Sequence, residues 1–402
     1  MKVLIADRFE SFAVDGLKAL GCDVELHSEL TAGELPQALA DKRPNVLIVR
    51  STHVTASSLA ATDRLALVVR AGSGTDSIDV VEASKRGIFI ANTPGRNATA
   101  VAELVWGLIL ACDRRIPDQM VDLRAGHWNR AEYARAQGLF GRTLGIVGFG
   151  RVGREVAARG KAFGMRVVAW SPTLTEAQCD AAGVDYVANL SNLARLADVV
   201  SVSVAATAST DGLISTKFLH AMRRGAILVN TSRGTVIDEK ALAKAIPEKE
   251  LRCGLDVFQD EPNGSAGEFS NPLARMPGVY GTHHIGASTD QALRATSAEA
   301  VRVVQAFVEG NSIPNCVNRA AATPATAVLT VRHLNRPGVL AHIFYTLGQA
   351  QINVEEMDNV IYEGGEAACA KVHLSRPPSE EHIVTIRKNP NVLGTALTLI
   401  KR

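Results

Sequence analysis

The sequence predicts an α/β protein: two Rossmann/flavodoxin-like parallel-sheet domains followed by a small ferredoxin-like βαββαβ domain. Three observations lead there. Short runs rich in Val and Ile alternate with helical stretches from residue 3 to residue 286, the pattern of a parallel sheet covered by helices. The alternation is interrupted near residue 97 by one long apolar helix and then resumes, which splits it into two series. After residue 320 the period changes to longer strands with strict in–out alternation around two helices.

In order, VLIA, NVLIVR, LALVVRAG and GIFIAN are the strands of the first series, and SFAVDGLKALG and AGELPQALADKR are helices between them. NTPGRNA leads into the apolar helix Thr99 to Cys112, and the second series runs from TLGIVGFG to VYGTHHIG. A helix from Asp290 to Glu309 leads to NSIPNCVN, and the small-residue stretch RAAATPAT reads as a linker. In the last part AVLTVRHL is a strand, and Val339, Leu340, Ile343, Phe344 and Leu347 share one helical face. Ala370, Val372 and Leu374 alternate with Lys371 and His373 as a strand, and a helix after Ser379 precedes a final strand, NVLGTALTLI. The expected domains are therefore residues 1–96 completed by 287–320, residues 97–286, and residues 321–402.

With 402 residues, 47% of them apolar, the chain has enough material for several cores. Forty-three basic and 41 acidic residues, mixed along the chain, make no electrostatic case for nucleic acid or an anionic membrane. Small molecules and other protein chains are the expected partners. The six cysteines have no C-x-x-C spacing, so reduced thiols in a cytoplasmic protein are expected, and no compact His/Asp grouping suggests a metal. MKVLIADRF starts directly as a strand without a charged-then-apolar leader.

Gly148, Gly150 and Gly153 form G-x-G-x-x-G between the strand TLGIV and a helix, with Arg151 and Val152 opening that helix. The glycines serve a tight turn, the approach of a pyrophosphate and helix-on-strand packing, so a dinucleotide cofactor is expected. The next strand, RVVAW, ends at Ser171, where a carboxylate normally binds the adenine ribose. WSPTLT has no Arg or Lys for a 2′-phosphate, which favours NAD, held without the usual acid. Three later segments, VNTSRGTVID, LDVFQDEP and THHIGAST, each put polar residues directly after an apolar strand, at the edge where such sheets bind ligands. In THHIG two histidines are adjacent, and on an extended chain only one faces a given cavity.

These motifs carry a resemblance. From about residue 45 to 310, RAGSGTDSIDV, NTPGRNATAVAEL, LGIVGFGRVGRE, NTSRG, GLDVFQDEP and HIGAST follow in the order of the D-isomer-specific 2-hydroxyacid dehydrogenases. The resemblance implies that Arg233 binds the substrate carboxylate and polarises the reacting oxygen, and that Glu261 holds the proton-carrying His284. It implies too that Asp256 holds the nicotinamide amide and that Thr231 lies on the cofactor side. His283 stands where the family has proline, and Ser203 and Ala205 stand where it commonly has His and Pro. Arg50 with Ser51, and Arg70 with Gly72, Ser73 and Gly74, end strands of the first domain. They look like the phosphate-reading pocket of the phosphoglycerate dehydrogenase branch, since guanidinium pairs well with phosphate.

HLNRPGVL followed by INVEEM is similar to the ACT regulatory domain of that branch, which implies an amino-acid effector such as L-serine at His333, Asn335 and Asn353. The expected function is NAD-dependent oxidation of 3-phospho-D-glycerate to 3-phosphohydroxypyruvate, the entry to serine synthesis, by a homodimer or homotetramer. The alternatives are another D-2-hydroxyacid dehydrogenase, of the hydroxypyruvate, glyoxylate or phosphoerythronate type, and an NAD-sensing corepressor-like protein that keeps the fold without turnover.

Overall fold

The computed structural model describes residues 1–262, 267–320 and 322–400. The chain forms two compact units, Met1–Asn318 and Arg319–Arg402. Residues 321, 401 and 402 of the expected third domain lie outside the described residues.

The first unit contains two parallel sheets. One is built from β1 (Lys2–Ile5), β2 (Asp23–Leu26), β3 (Val46–Val49), β4 (Leu67–Arg70) and β5 (Phe89–Asn92), in the order β2-β1-β3-β4-β5. β3 is buried throughout and β4 is buried up to Arg70, because helices cover both faces, and that is why they read as unbroken apolar runs. β2, Asp-Val-Glu-Leu, gives no such run: it is an edge strand with only half-buried or exposed side chains, and pairing with β1 rather than its own composition makes it a strand.

The second sheet comprises β6 (Thr143–Val147), β7 (Arg166–Trp170), β8 (Asp185–Tyr186), β9 (Val199–Val202), β10 (Ile227–Asn230), β11 (Arg252–Leu255) and β12 (Val279–Gly281). Its order, β12-β11-β10-β9-β6-β7-β8, reverses direction between β6 and β9, and a doubly wound sheet binds its ligand at that switch point. The long apolar helix spans Ala98–Arg114 and packs on β10 and β11. Two short helices follow it, Ile116–Arg124 and Arg130–Tyr133, with no buried residue in either. The return helix, Asp290–Val308, turns Ala300, Val303 and Val304 into the core of the first sheet.

The second unit has β13 (Ala327–Leu334), β14 (Val354–Ile361), β15 (Ala367–Leu374) and β16 (Val392–Leu399), antiparallel in the order β14-β15-β13-β16. The helices Val339–Gln349 and Glu380–Arg387 contribute Val339, Ile343, Leu347 and Ile386 to a core shared with Leu329, Val331, Ala370 and Val372. This is the ferredoxin-like arrangement. Among the described residues, no helix is long and apolar enough to cross a membrane, and all six cysteines are free.

Candidate active site

The strand ends of both sheets in the first unit build one site. After β6 the chain turns at Gly148 with φ +99°, and a Cβ there would lie 2.7 Å from the Ser203 carbonyl group beyond β9. A Cβ at Gly153 would stand 2.2 Å from the Gly148 oxygen, so the glycine lets the helix Arg151–Ala162 sit on the turn. Gly150 faces open space. The helix has no side-chain cap, which leaves the N–H groups of its first turn directed at the position a pyrophosphate takes.

Along the same edge, the Ser203 and Thr231 hydroxyls are buried without a partner, each one residue past the Val202–Asn230 pair that ends the β9–β10 ladder. A turn that side chains would fill, a free helix N-terminus and two orphan hydroxyls fit a bound dinucleotide. Arg151 reaches from the turn to the Pro94 carbonyl oxygen, over Gly95. Ser171, half-buried, follows β7, and its carbonyl accepts the Leu174 N–H at 3.2 Å.

Beyond β10, the buried Asn230 shapes the next turn, donating to the Arg233 carbonyl at 2.9 Å and accepting from the Ser232 hydroxyl at 2.8 Å. Gly234 then passes so close to Phe258 that a Cβ would meet its carbonyl carbon at 2.1 Å. This contact sets Arg233 beside the segment that bears Glu261. Glu261 Oε1 accepts the Phe258 N–H at 2.8 Å, and its Oε2 is 2.7 Å from His284 Nδ1. Partial burial works against the Glu261 charge, but the hydrogen bonds from His284 and Phe258 outweigh it and hold the carboxyl below its ordinary range. An ionised Glu261 fixes the imidazole through Nδ1, which leaves Nε2 as the ring nitrogen able to take up a proton. His283 is exposed.

Asp256 does more than the resemblance implies. It is 1% exposed, and its carboxylate accepts from the Thr282 hydroxyl at 2.6 Å and from the N–H groups of Ile285 and Gly286 at 2.8 and 2.9 Å. Its carbonyl accepts the His284 N–H at 2.8 Å. Asp256 thus clamps the loop that carries His284, a role with no motif of its own.

From the first sheet, Arg50 donates to the Ala287 carbonyl at 3.3 Å, just past the histidine loop. Asp7 gathers the N–H groups of Arg50, Ser51 and Thr52 and the Ser51 hydroxyl, so the Ser51 hydroxyl is engaged within the protein. The Ser73 hydroxyl likewise donates to Asn97 at 2.8 Å. Arg70 lies over Gly72, where a Cβ would come within 1.4 Å of its Nη1, and its Nε is buried without a partner. Burial first, then repulsion from Arg233, brings its pKa down to about 10. Arg233, Glu261, His284, Arg70 and Arg50 therefore converge. Sequence reasoning missed Asp76, which holds Arg233 through two bonds of 2.9 Å; its one signal was a carboxylate inside the glycine-rich SGTDSID loop.

The effector candidates do not gather within one chain. His333 is 2% exposed, with Nδ1 on the Leu334 carbonyl at 2.8 Å and Nε2 on Asn359 at 3.2 Å. Asn335 donates to the Gly365 carbonyl beyond the C-terminal end of β13. Asn353 precedes β14, which starts opposite Leu374 and so lies level with Ala327, at the other end of β13.

A dinucleotide cradle facing an arginine, a carboxylate–histidine pair and further cations is the architecture of a hydride-transferring oxidoreductase. The family model "D-isomer specific 2-hydroxyacid dehydrogenase, NAD binding domain" matches residues 106–286. A hydroxypyruvate reductase of Thermotoga maritima is 42% identical over 262 residues, which cover 65% of this chain and 83% of that protein. A D-3-phosphoglycerate dehydrogenase of Methanocaldococcus jannaschii is 36% identical over 320 residues, 79% of this chain but only 59% of that protein. The chain thus spans about three fifths of that curated relative. The crystal structure of D-lactate dehydrogenase from Aquifex aeolicus, complexed with NAD and lactic acid, superposes with a TM-score of 0.67 at 29% identity and covers 79% of this chain and 100% of that one. The chain belongs to the NAD-dependent D-isomer-specific 2-hydroxyacid dehydrogenase family.

Proposed function

We propose that the protein oxidises 3-phospho-D-glycerate to 3-phosphohydroxypyruvate with NAD, the first step of L-serine synthesis. The observation that carries this reading is the convergence of Arg50 and Arg70 on the cleft of Arg233. One guanidinium suffices for a carboxylate, and two more suit a phosphate. Arg233 binds the carboxylate and polarises the reacting oxygen. His284 Nε2 takes the hydroxyl proton while Glu261 steadies the ring. NAD, held by Gly148, Gly150, Gly153, Thr231 and Asp256, supplies the hydride acceptor. Residues 1–96 with 287–320 act as the substrate domain, 97–286 as the nucleotide domain and 321–402 as an ACT regulatory domain. An amino-acid effector would be held by His333 and Asn335 of one copy and Asn353 of another, consistent with their separation within one chain. The chain works as a homo-oligomer. Trp128 and Phe140, 81% and 87% exposed in the segment after the apolar helix, support an interface there.

The 42% identity to a hydroxypyruvate reductase favours one second reading, the same chemistry on hydroxypyruvate or glyoxylate. The test is a panel: NADH formation from 3-phosphoglycerate, glycerate and 4-phosphoerythronate, and NADH consumption with hydroxypyruvate and glyoxylate, each with and without L-serine. Preference for 3-phosphoglycerate supports the proposal, and preference for an unphosphorylated acid replaces it with the second reading. No turnover with any of them leaves a binding protein.

A further inference from the structure

Asp76 belongs to the loop after β4 of the first sheet, whereas Arg233 follows β10 of the second. Oδ2 accepts Nε and Oδ1 accepts Nη2, each at 2.9 Å, and Nη1 donates to the Ser232 carbonyl at 2.6 Å. A guanidinium has five N–H bonds, so these contacts leave one on Nη1 and one on Nη2, side by side along the end of the group. That remaining edge is a fork suited to a carboxylate and its neighbouring oxygen. The loop backbone is shaped around the pair: a Cβ at Gly74 would lie 2.5 Å from both Arg233 Nη2 and Asp76 Oδ1. Asp76 also stands between two cations, since Arg70 and Arg233 repel each other. Burial opposes its charge, but Arg233 holds its pKa down at about 2, so the carboxylate stays ionised at any working pH.

We propose that Asp76 is a positioning residue for Arg233, fixing the guanidinium plane so that its end-on edge faces the carboxylate and reacting oxygen of the 2-hydroxy acid. This rests on the reading that Arg233 binds that acid. The opposite role, a carboxylate occupying the substrate's place, predicts the opposite kinetics.

The test compares Asp76→Asn, Asp76→Ala, Asp76→Glu, Arg233→Ala and the Asp76→Ala/Arg233→Ala double variant, using whichever 2-hydroxy acid of the panel the wild type turns over best. Asp76→Asn and Asp76→Ala should lower kcat/KM by about 10–100-fold, with NADH affinity by fluorescence titration within about twofold of wild type. Asp76→Glu should recover part of the loss. In the Arg233→Ala background, Asp76→Ala should change kcat/KM by less than about threefold, because a residue acting through Arg233 has nothing left to position. A lower KM in Asp76→Asn, or full additivity in the double variant, would overturn the proposal. Phenylglyoxal labelling of Arg233, read by peptide mass, is independent of turnover. Labelling several-fold faster in Asp76→Asn than in wild type supports the pairing, and equal rates refute it. If the wild type oxidises no acid of the panel, the proposed function fails while the labelling still decides the role of Asp76.

Discussion

At His284 the backbone adopts a φ of +52°, a left-handed conformation that side-chain-bearing residues seldom hold. Asp256 enforces it by accepting the His284 N–H on its carbonyl and the next two N–H groups on its carboxylate. Both adjacent histidines are exposed, and the turn brings His284 within reach of Glu261. Ala tolerates the left-handed backbone at this position less readily than His does, while the Asp256 contacts to the loop backbone remain, so melting temperatures separate any loss of fold from the chemical loss. His284→Ala should lower turnover by about two to four orders of magnitude, the usual worth of a positioned acid–base group, and His283→Ala should do much less. Initial rates of NADH formation, with melting temperatures as a control, check this; equal losses would refute the assignment.

The glycine turn and its helix divide two functions between neighbouring positions. At Gly153 a methyl group would strike the Gly148 carbonyl, which is backbone and has no rotamer to escape into. Gly153→Ala should therefore destabilise by about 1–3 kcal/mol through overpacking and weaken NADH binding as well. Gly150 has an extended backbone and open space around its Cβ. Gly150→Ala should leave the melting temperature unchanged and weaken only the binding, because its methyl group projects to the pyrophosphate side. Thermal melts and NADH fluorescence titrations of the two variants separate these effects. At the end of the next strand, Ser171→Asp should widen the preference for NAD over NADP, since a carboxylate accepts ribose hydrogen bonds and repels a 2′-phosphate. Steady-state kinetics with both cofactors test it, and a wild type that prefers NADP would contradict this account of the loop.

Across the whole first unit, Glu299 joins distant parts of the chain. Its side chain is 5% exposed on the return helix and binds Arg302, Arg96 before the apolar helix, and Asn315 in the closing segment. Hydrogen bonding from Arg302 leads the causes that lower its pKa from 4.5 to about 2, with burial opposing and Arg96 and Asn315 adding. A carboxyl depressed in the folded state stabilises fully above its unfolded pKa and loses that contribution as pH falls through the folded one. The shift corresponds to about 3 kcal/mol, present above about pH 4.5 and gone near pH 2. Glu299→Gln should be less stable than wild type at neutral pH, and the two should converge as pH falls through that window. Urea unfolding at a series of pH values reads it, and a constant gap would argue against the linkage.

The buried inner strands of the parallel sheets were legible because burial on both faces demands continuous Val/Ile runs, and the cofactor turn because only glycine fits where backbone meets backbone. Arg233, Glu261 and His284 stood out through their motifs, and the family resemblance implied the contact of Glu261 with His284 that the structure contains. β2 was not, since an edge strand with two acidic residues carries no apolar signal until β1 pairs with it. Only the tertiary structure revealed Asp256 as the clamp of the histidine loop, Asp76 as the holder of Arg233 and Glu299 as the tie between the chain's crossings. Each is a lone carboxylate whose partners are supplied by other segments; Asp76 and Arg233 stand 157 residues apart. A periodic pattern records which face of an element is buried, whereas the partner of a single charge is set when folding brings distant strand ends to one edge.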